Sequence, residues 1–242
     1  MTPSASALSQ HYDTMWAESF PAVREGAVEI DPVLERGSAD LRRGVTLLFR
    51  PSSQVLASID RFLSELKACE PDQYFYRPDE LHVTALSLFT ATERHTAFTA
   101  RIDDYRAAVQ DALAGAPPFS VQFRGITASR GAVLVQGFPA SAGLEEIRGR
   151  LRGSLQSRHL AEGLDRRYRL VTAHCTAARF RKPLARPQEF ASILAQHRAT
   201  DFGKAQVREL SLMTSDWYMS ASTQRLIETV LLRPVHDSEQ GK

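Results

Sequence analysis

LHVTALSLF, residues 81–89, is an apolar run that carries a histidine and a threonine two positions apart near its start. Its β-branched and aliphatic content reads as a strand. In a strand, residues i and i+2 face the same side. His82 and Thr84 therefore share one face, and Val83 turns the other way. RLVTAHCTAARF, residues 169–180, repeats the arrangement, with His174 and Thr176 on one face and Cys175 on the other. Cys175 thus points away from any cleft its neighbours line. It is no partner for imidazole in a Cys–His mechanism, which needs thiol and ring to meet.

The elements around these two strands set the architecture. VTLLFRP (45–51) reads as a strand closed by proline, and Ser52 or Ser53 caps a helix whose stripe is Val55, Ile59, Phe62, Leu63 and Leu66. Helices are expected over 102–113 and 143–157, and over RPQEFASILAQH with Pro187 in its first turn. FSVQFRGI (119–126) and GAVLVQGF (131–138) read as an antiparallel hairpin, and QVRELSLMTSDW and TQRLIETVLLRP as the last two strands. Residues 1–10 read as frayed. Residues 11–43 read as one amphipathic turn or helix with His11, Tyr12, Met15, Trp16 and Phe20, then loop. The regular fold is expected to begin at Gly44. Strands outnumber helices and hairpins occur among them, so the class is α+β with mostly antiparallel sheets. The strand–helix–strand unit recurs, one His-x-Thr in each half, as in a diverged duplication. No glycine-rich phosphate loop follows the first strand, so neither a dinucleotide fold nor a P-loop is indicated.

Two facing His-x-Thr pairs suit phosphodiester chemistry. Hydrolysis needs a base to activate water and an acid to protonate the leaving alkoxide, and imidazole serves either role near neutral pH. A hydroxyl two residues along the strand can donate to a phosphate oxygen. No metal is required, since the imidazoles move the protons. A single His-x-Thr is common in ordinary strands. Two copies at matching places in a repeated unit carry the argument. The remaining histidines, His11, His95, His159, His197 and His236, lack that context and read as surface residues.

The two motifs, HVTAL at 82–86 and HCTAA at 174–178, resemble the signatures of the 2H phosphoesterase superfamily, which includes 2′-5′ RNA ligase-like proteins and cyclic phosphodiesterases. The resemblance covers roughly residues 44–234. It implies two pseudo-symmetric lobes of mostly antiparallel sheet with outer helices and a central cleft. It implies His82, Thr84, His174 and Thr176 as the catalytic set, with His174 as base and His82 as acid. Residues 1–43 become an N-terminal extension, 44–234 one bilobal domain and 235–242 a tail.

Tyr74, Tyr76, Arg50, Arg124 and Tyr168 are candidates to bind substrate. Arg50 ends the first strand, Arg124 lies in FSVQFRG, and Tyr168 stands at an even offset from His174. Tyr74, Tyr76 and Arg77 sit on the loop entering the first motif strand, where they can stack a base or clamp a phosphate. Trp217 and Tyr218 have a similar claim. Arg179 lies at an odd offset from His174, which alternation assigns to the opposite face unless the strand bulges.

The expected function is a metal-independent phosphoesterase acting on a 2′,3′-cyclic phosphate or a 2′-5′ linkage of RNA or a small nucleotide. A non-catalytic nucleotide- or RNA-binding protein is the alternative. A histidine-ligated metal hydrolase ranks lower, since no HExxH is present. The chain has 242 residues, 43% hydrophobic and 24% charged, a composition that excludes global disorder and fibrous rods. The net charge of +2 argues against bulk polyanion binding. Basic density at 148–159, DRRYRL (165–170) and ARFRKPLAR (178–186) offers a surface that can steer RNA. Two cysteines rule out a disulfide scaffold. The N-terminus lacks signal-peptide character, and no run approaches the roughly 20 residues needed to span a bilayer. The expectation is a cytoplasmic monomer without cofactor, membrane or obligate protein partner, its substrate a nucleotide or RNA terminus.

Overall fold

The structure, a computed structural model, describes residues 5–164 and 170–233. In chain order the elements are α1 (Ala5–Arg24), α2 (Pro32–Arg36), β1 (Arg43–Phe49), α3 (Ser53–Cys69), β2 (Tyr74–Phe75), β3 (Val83–Thr92), α4 (Thr96–Thr99) and α5 (Ile102–Leu113). They continue as β4 (Phe119–Ser129), β5 (Ala132–Pro139), α6 (Gly143–Ser157), β6 (Cys175–Arg179), α7 (Pro187–Gln196), β7 (Asp201–Val207), β8 (Glu209–Ser215) and β9 (Arg225–Leu231). Helices α5, α6 and α7 stand where periodicity and Pro187 place them. Ser52 caps α3, and Val55, Ile59, Phe62, Leu63 and Leu66 are all buried.

The sheet is antiparallel and strongly curled, in the order β7-β4-β5-β6-β3-β1-β8-β9, with β2 added beside β6. The fold is α+β, and its halves are β7-β4-β5-β6 and β3-β1-β8-β9. They are fused edge to edge into one nine-stranded sheet. Among the described residues the fusion rests on one pair, Val83 opposite Cys175. Helices α1, α3 and α7 pack on the first half, and α5 and α6 on the second.

Three elements depart from the sequence reading. QVRELSLMTSDW is not one strand: the chain breaks at Arg208, with β7 pairing β4 in one half and β8 pairing β1 in the other. DFGKAQV has too few apolar residues to announce a strand, and its alternation is interrupted at Gly203 (φ 105°). The second motif strand is shorter than read, since β6 begins only at Cys175. Regular structure also begins well before Gly44. Helix α1 runs for 20 residues and buries Leu8, Tyr12 and Val23, which repeat at helical spacing, against β4, β5 and α7. Among the described residues, no helix is long and apolar enough to cross a membrane.

Strand β3 has a consequence for the site. Its ten residues lie against seven of β1, and the register slips three times, each time with two β3 residues against one of β1. Each slip is a β-bulge, which bends the strand and increases its twist. The polar face therefore repeats every third residue: Thr84, Ser87 and Thr90 are half-buried on the concave side, while Val83, Ala85, Leu86, Leu88 and Phe89 are buried behind.

Candidate active site

The seam between the halves builds the site. Val83 pairs with Cys175 on antiparallel strands, so their neighbours His82, Thr84, His174 and Thr176 turn to the opposite, concave face. All four line one pocket. Cys175 is fully buried behind it, and burial pushes its thiol pKa up to about 12.

Arg179 lines the same pocket. Along β5–β6 the register slips once: Leu134 faces Thr176 but Val133 faces Ala178, leaving Ala177 as an extra residue. That bulge reverses the parity of the strand and carries Arg179, at an odd offset, onto the His174 face. The bulge in β3 at Ala85 stands at the matching place. The offset relating Thr84 to Thr176 also relates Ser87 to Arg179, so the two halves present His–Thr–Ser and His–Thr–Arg. The guanidinium of Arg179 is held by the Tyr76 hydroxyl, which accepts from Nε at 2.9 Å, and lies 5.7 Å from the ring centre of Trp217, another wall residue.

The two imidazoles are anchored differently. His82 Nδ1 lies 2.7 Å from the backbone oxygen of Glu80. A carbonyl accepts and cannot donate, so Nδ1 carries the hydrogen and a neutral His82 presents its Nε2 lone pair. The Glu80 carboxylate accepts from the backbone N–H groups of Arg77 and Ala221, which fixes the turn that supplies this oxygen. His174 Nδ1 lies 2.7 Å from Thr172 Oγ1, a hydroxyl able to accept or donate. Burial lowers both imidazole pKa values to about 4. The positive charges of Arg50 and Arg179 add to this at His82, where the Glu80 carbonyl opposes it. His82, Arg148 and Arg179 add to it at His174.

Behind the seam lies Arg148 of α6, 2% exposed. Its Nε donates to the Ala85 oxygen at 2.7 Å, and one terminal nitrogen donates to Thr84 and Thr172 oxygens at 3.3 and 2.6 Å. One guanidinium thus holds the backbone of both motif segments. Arg152, on the same helix, is also buried, so the basic density over 148–159 is in part interior.

The substrate-binding candidates divide. Tyr76 is on the pocket wall. Tyr74 stands one layer behind, packed edge-on to Tyr76 at 5.1 Å and donating to Glu80. Arg50 braces the entry to β3 rather than the pocket, donating to the Leu81 oxygen and to Gln224. Arg124 is corrected: it is exposed on β4, two strands from the seam, over the Phe138 ring at 5.6 Å. Tyr168 lies outside the described residues. Trp217, Asp216 and the hydroxyls of Thr46, Ser87 and Thr90 join the wall. The bulges that expose Ser87, Thr90 and Arg179 depend on partner strands, so no local signal marks them. Among the described residues, no group of three or more His, Cys, Asp or Glu side chains is placed to hold a metal ion.

Comparison with known proteins agrees with this geometry. The family model of the 2′-5′ RNA ligase superfamily matches residues 55–217, more than half of the chain and inclusive of both motifs. No curated protein matches significantly by sequence. Among solved structures, TT0787 of Thermus thermophilus is similar at a TM-score of 0.56 and 18% identity, over 81% of this chain and 100% of that one. Escherichia coli LigT complexed with ATP is similar at 0.52 and 13%, over 79% and 99%. A structure described as a phosphoesterase gives 0.52 and 14%, over the same shares. At these identities the structures establish a shared fold, and the family model with the paired motifs establishes membership. The chain belongs to the 2′-5′ RNA ligase superfamily of 2H phosphoesterases.

Proposed function

We propose that the protein hydrolyses a 2′,3′-cyclic phosphate or a 2′-5′ phosphodiester of a nucleotide or RNA terminus, by acid–base catalysis between its two histidines. The observation that carries this reading is the seam register, which turns both His-x-Thr pairs onto one pocket. A phosphate between them meets two imidazoles, the hydroxyls of Thr84 and Thr176, and the Arg179 guanidinium. Donors aimed at the non-bridging oxygens gain most as charge builds there. LigT has been crystallised with ATP and with 3′-AMP, which supports a nucleotide as the substrate.

The hydrogen bonds at Nδ1 support one division of roles. Water attacks phosphorus, His82 Nε2 takes its proton, and a protonated His174 delivers one to the departing ribose oxygen. The Glu80 carbonyl holds His82 in the tautomer a base needs. Thr172 Oγ1 accepts the Nδ1 hydrogen of the His174 cation. This order is the reverse of the one the family resemblance implies, and the difference rests on carbonyl against hydroxyl at Nδ1.

The reacting form carries one proton on the pair. Since both pKa values are lowered in the free protein, the alkaline limb of kcat/KM moves to lower pH. A bell with its apex well below pH 6.5 is expected, already descending at neutrality. Bound phosphate favours imidazolium, so the kcat bell lies at higher pH. A kcat/KM that stays flat between pH 5 and 8 contradicts the scheme.

The deciding experiment is a panel of 2′,3′-cyclic nucleotides, 2′-5′ dinucleotides and cyclic-phosphate-terminated RNA, assayed with EDTA. Turnover of at least one class, unaffected by chelator, is expected. Binding without turnover would make the protein a binding module, and turnover that depends on added divalent metal would overturn the two-histidine scheme.

A further inference from the structure

The backbone that delivers His174 is not held by strand pairing. The β5–β6 ladder ends at Val135 opposite Cys175. Continued in register, its next pair on this face would be Gly137 opposite Ala173, one residue before His174. A phenol stands there instead. Tyr12 Oη accepts from the Ala173 N–H at 3.2 Å and donates to the Gly137 oxygen at 3.2 Å, with the Gly137 N–H at 3.4 Å. The hydroxyl has entered a ladder hydrogen bond and relays it. Gly137 permits the approach, since a Cβ there would lie 2.0 Å from the Ala173 oxygen. The Tyr12 ring is fully buried, edge-on to Phe138 at 5.4 Å, and its own backbone oxygen accepts from Thr127.

Tyr12 belongs to α1, outside residues 55–217 matched by the family model. The geometry points to Tyr12 as a positioning residue for His174: α1 supplies a hydroxyl that sets where the second motif leaves the ladder and so where its imidazole stands. The neighbouring anchors agree. The Thr172 oxygen is fixed by Arg148 and the Thr172 hydroxyl meets the His174 ring, so Ala173 is the link between two pinned residues. Its N–H is pinned by Tyr12 alone among the described residues. The catalytic consequence rests on the phosphoesterase reading above; the positional one does not.

The test is Tyr12→Phe, which keeps the buried ring and removes the oxygen. Imidazole NMR signals of His82 and His174, assigned through their alanine variants, report position without substrate. The expected result is a displaced His174 resonance with His82 unmoved. It is accompanied by a kcat at least about tenfold lower and KM within about twofold, since small misplacements of a reacting group are costly while the phosphate donors stay in place. Tyr12→Trp, which also lacks the hydroxyl, should not restore the rate. A His174 resonance that matches wild type overturns the proposal whatever the rate, and so does a displaced resonance with unchanged kcat. If the wild-type protein turns over none of the panel substrates, the functional reading has failed, and the NMR comparison alone decides whether Tyr12 places His174.

Discussion

Alanine at His82 or at His174 is expected to lower kcat/KM by at least about 10²-fold and towards about 10⁴-fold, the range over which a positioned acid or base contributes. The double variant should lose little beyond the worse single one, because acid and base act on one displacement and their effects do not add. Both rings line the pocket rather than the core, so neither change should alter folding cooperativity or the circular dichroism spectrum. The smaller substitutions Thr84→Ala and Thr176→Ala should cost less. Each removes one donor to a charged acceptor, worth about 1.5–3 kcal/mol or roughly 10- to 100-fold. The measurement is hydrolysis of the best panel substrate with chelator present. A histidine variant that keeps more than a tenth of the wild-type rate would remove that residue from the mechanism.

The four motif residues were legible because their argument is local. Within two positions of a strand, alternation holds whatever the neighbours do, and both motifs end before their first bulge. Beyond Thr84 and Thr176 the facing of each residue is decided by register against β1 and β5, which no local pattern encodes. For that reason alternation leaves the face of Arg179 to whether the strand bulges, and it gives no sign of Ser87 or Thr90. Arg124 differs: its strand is legible, but strand order, a tertiary property, places it two strands from the seam. Helix α1 is half-visible in the sequence: Tyr12, Trp16 and Phe20 mark its middle, while the buried repeat Leu8, Tyr12, Val23 extends into an N-terminus whose small polar residues do not announce a helix. Arg148 did carry a signal. It falls on the buried stripe of α6 with Leu144, Ile147, Leu151 and Leu155, where a charge needs a partner inside.

Removal of that charge should give the largest combined effect on fold and activity. Arg148 spends its donors on the oxygens of Thr84, Ala85 and Thr172, and lies 3.6 Å from Glu145, itself largely buried. Burial lowers its pKa to about 10, which still leaves it cationic at neutral pH. Arg148→Met fills similar volume but takes the side-chain donor away from three carbonyls and leaves Glu145 with Arg152 as its nearby cation. Breaking a buried pair from one side costs about 3–5 kcal/mol, a large share of the 5–15 kcal/mol typical of a domain. A marked fall in the urea midpoint is therefore expected. Arg148→Lys separates charge from geometry. A lysine keeps the positive charge near Glu145, but a single ammonium cannot reproduce the planar fork that reaches both motif segments at once. The bulge at Ala85 and the segment at Thr172 would then be held independently, and the imidazoles they carry would lose their common reference. Arg148→Lys should remain folded, with a urea midpoint between those of wild type and Arg148→Met, and lose at least about tenfold in kcat. Wild-type rate and midpoint in Arg148→Lys would show that charge alone suffices, and that the seam is set by Val83 and Cys175 without a clasp behind it.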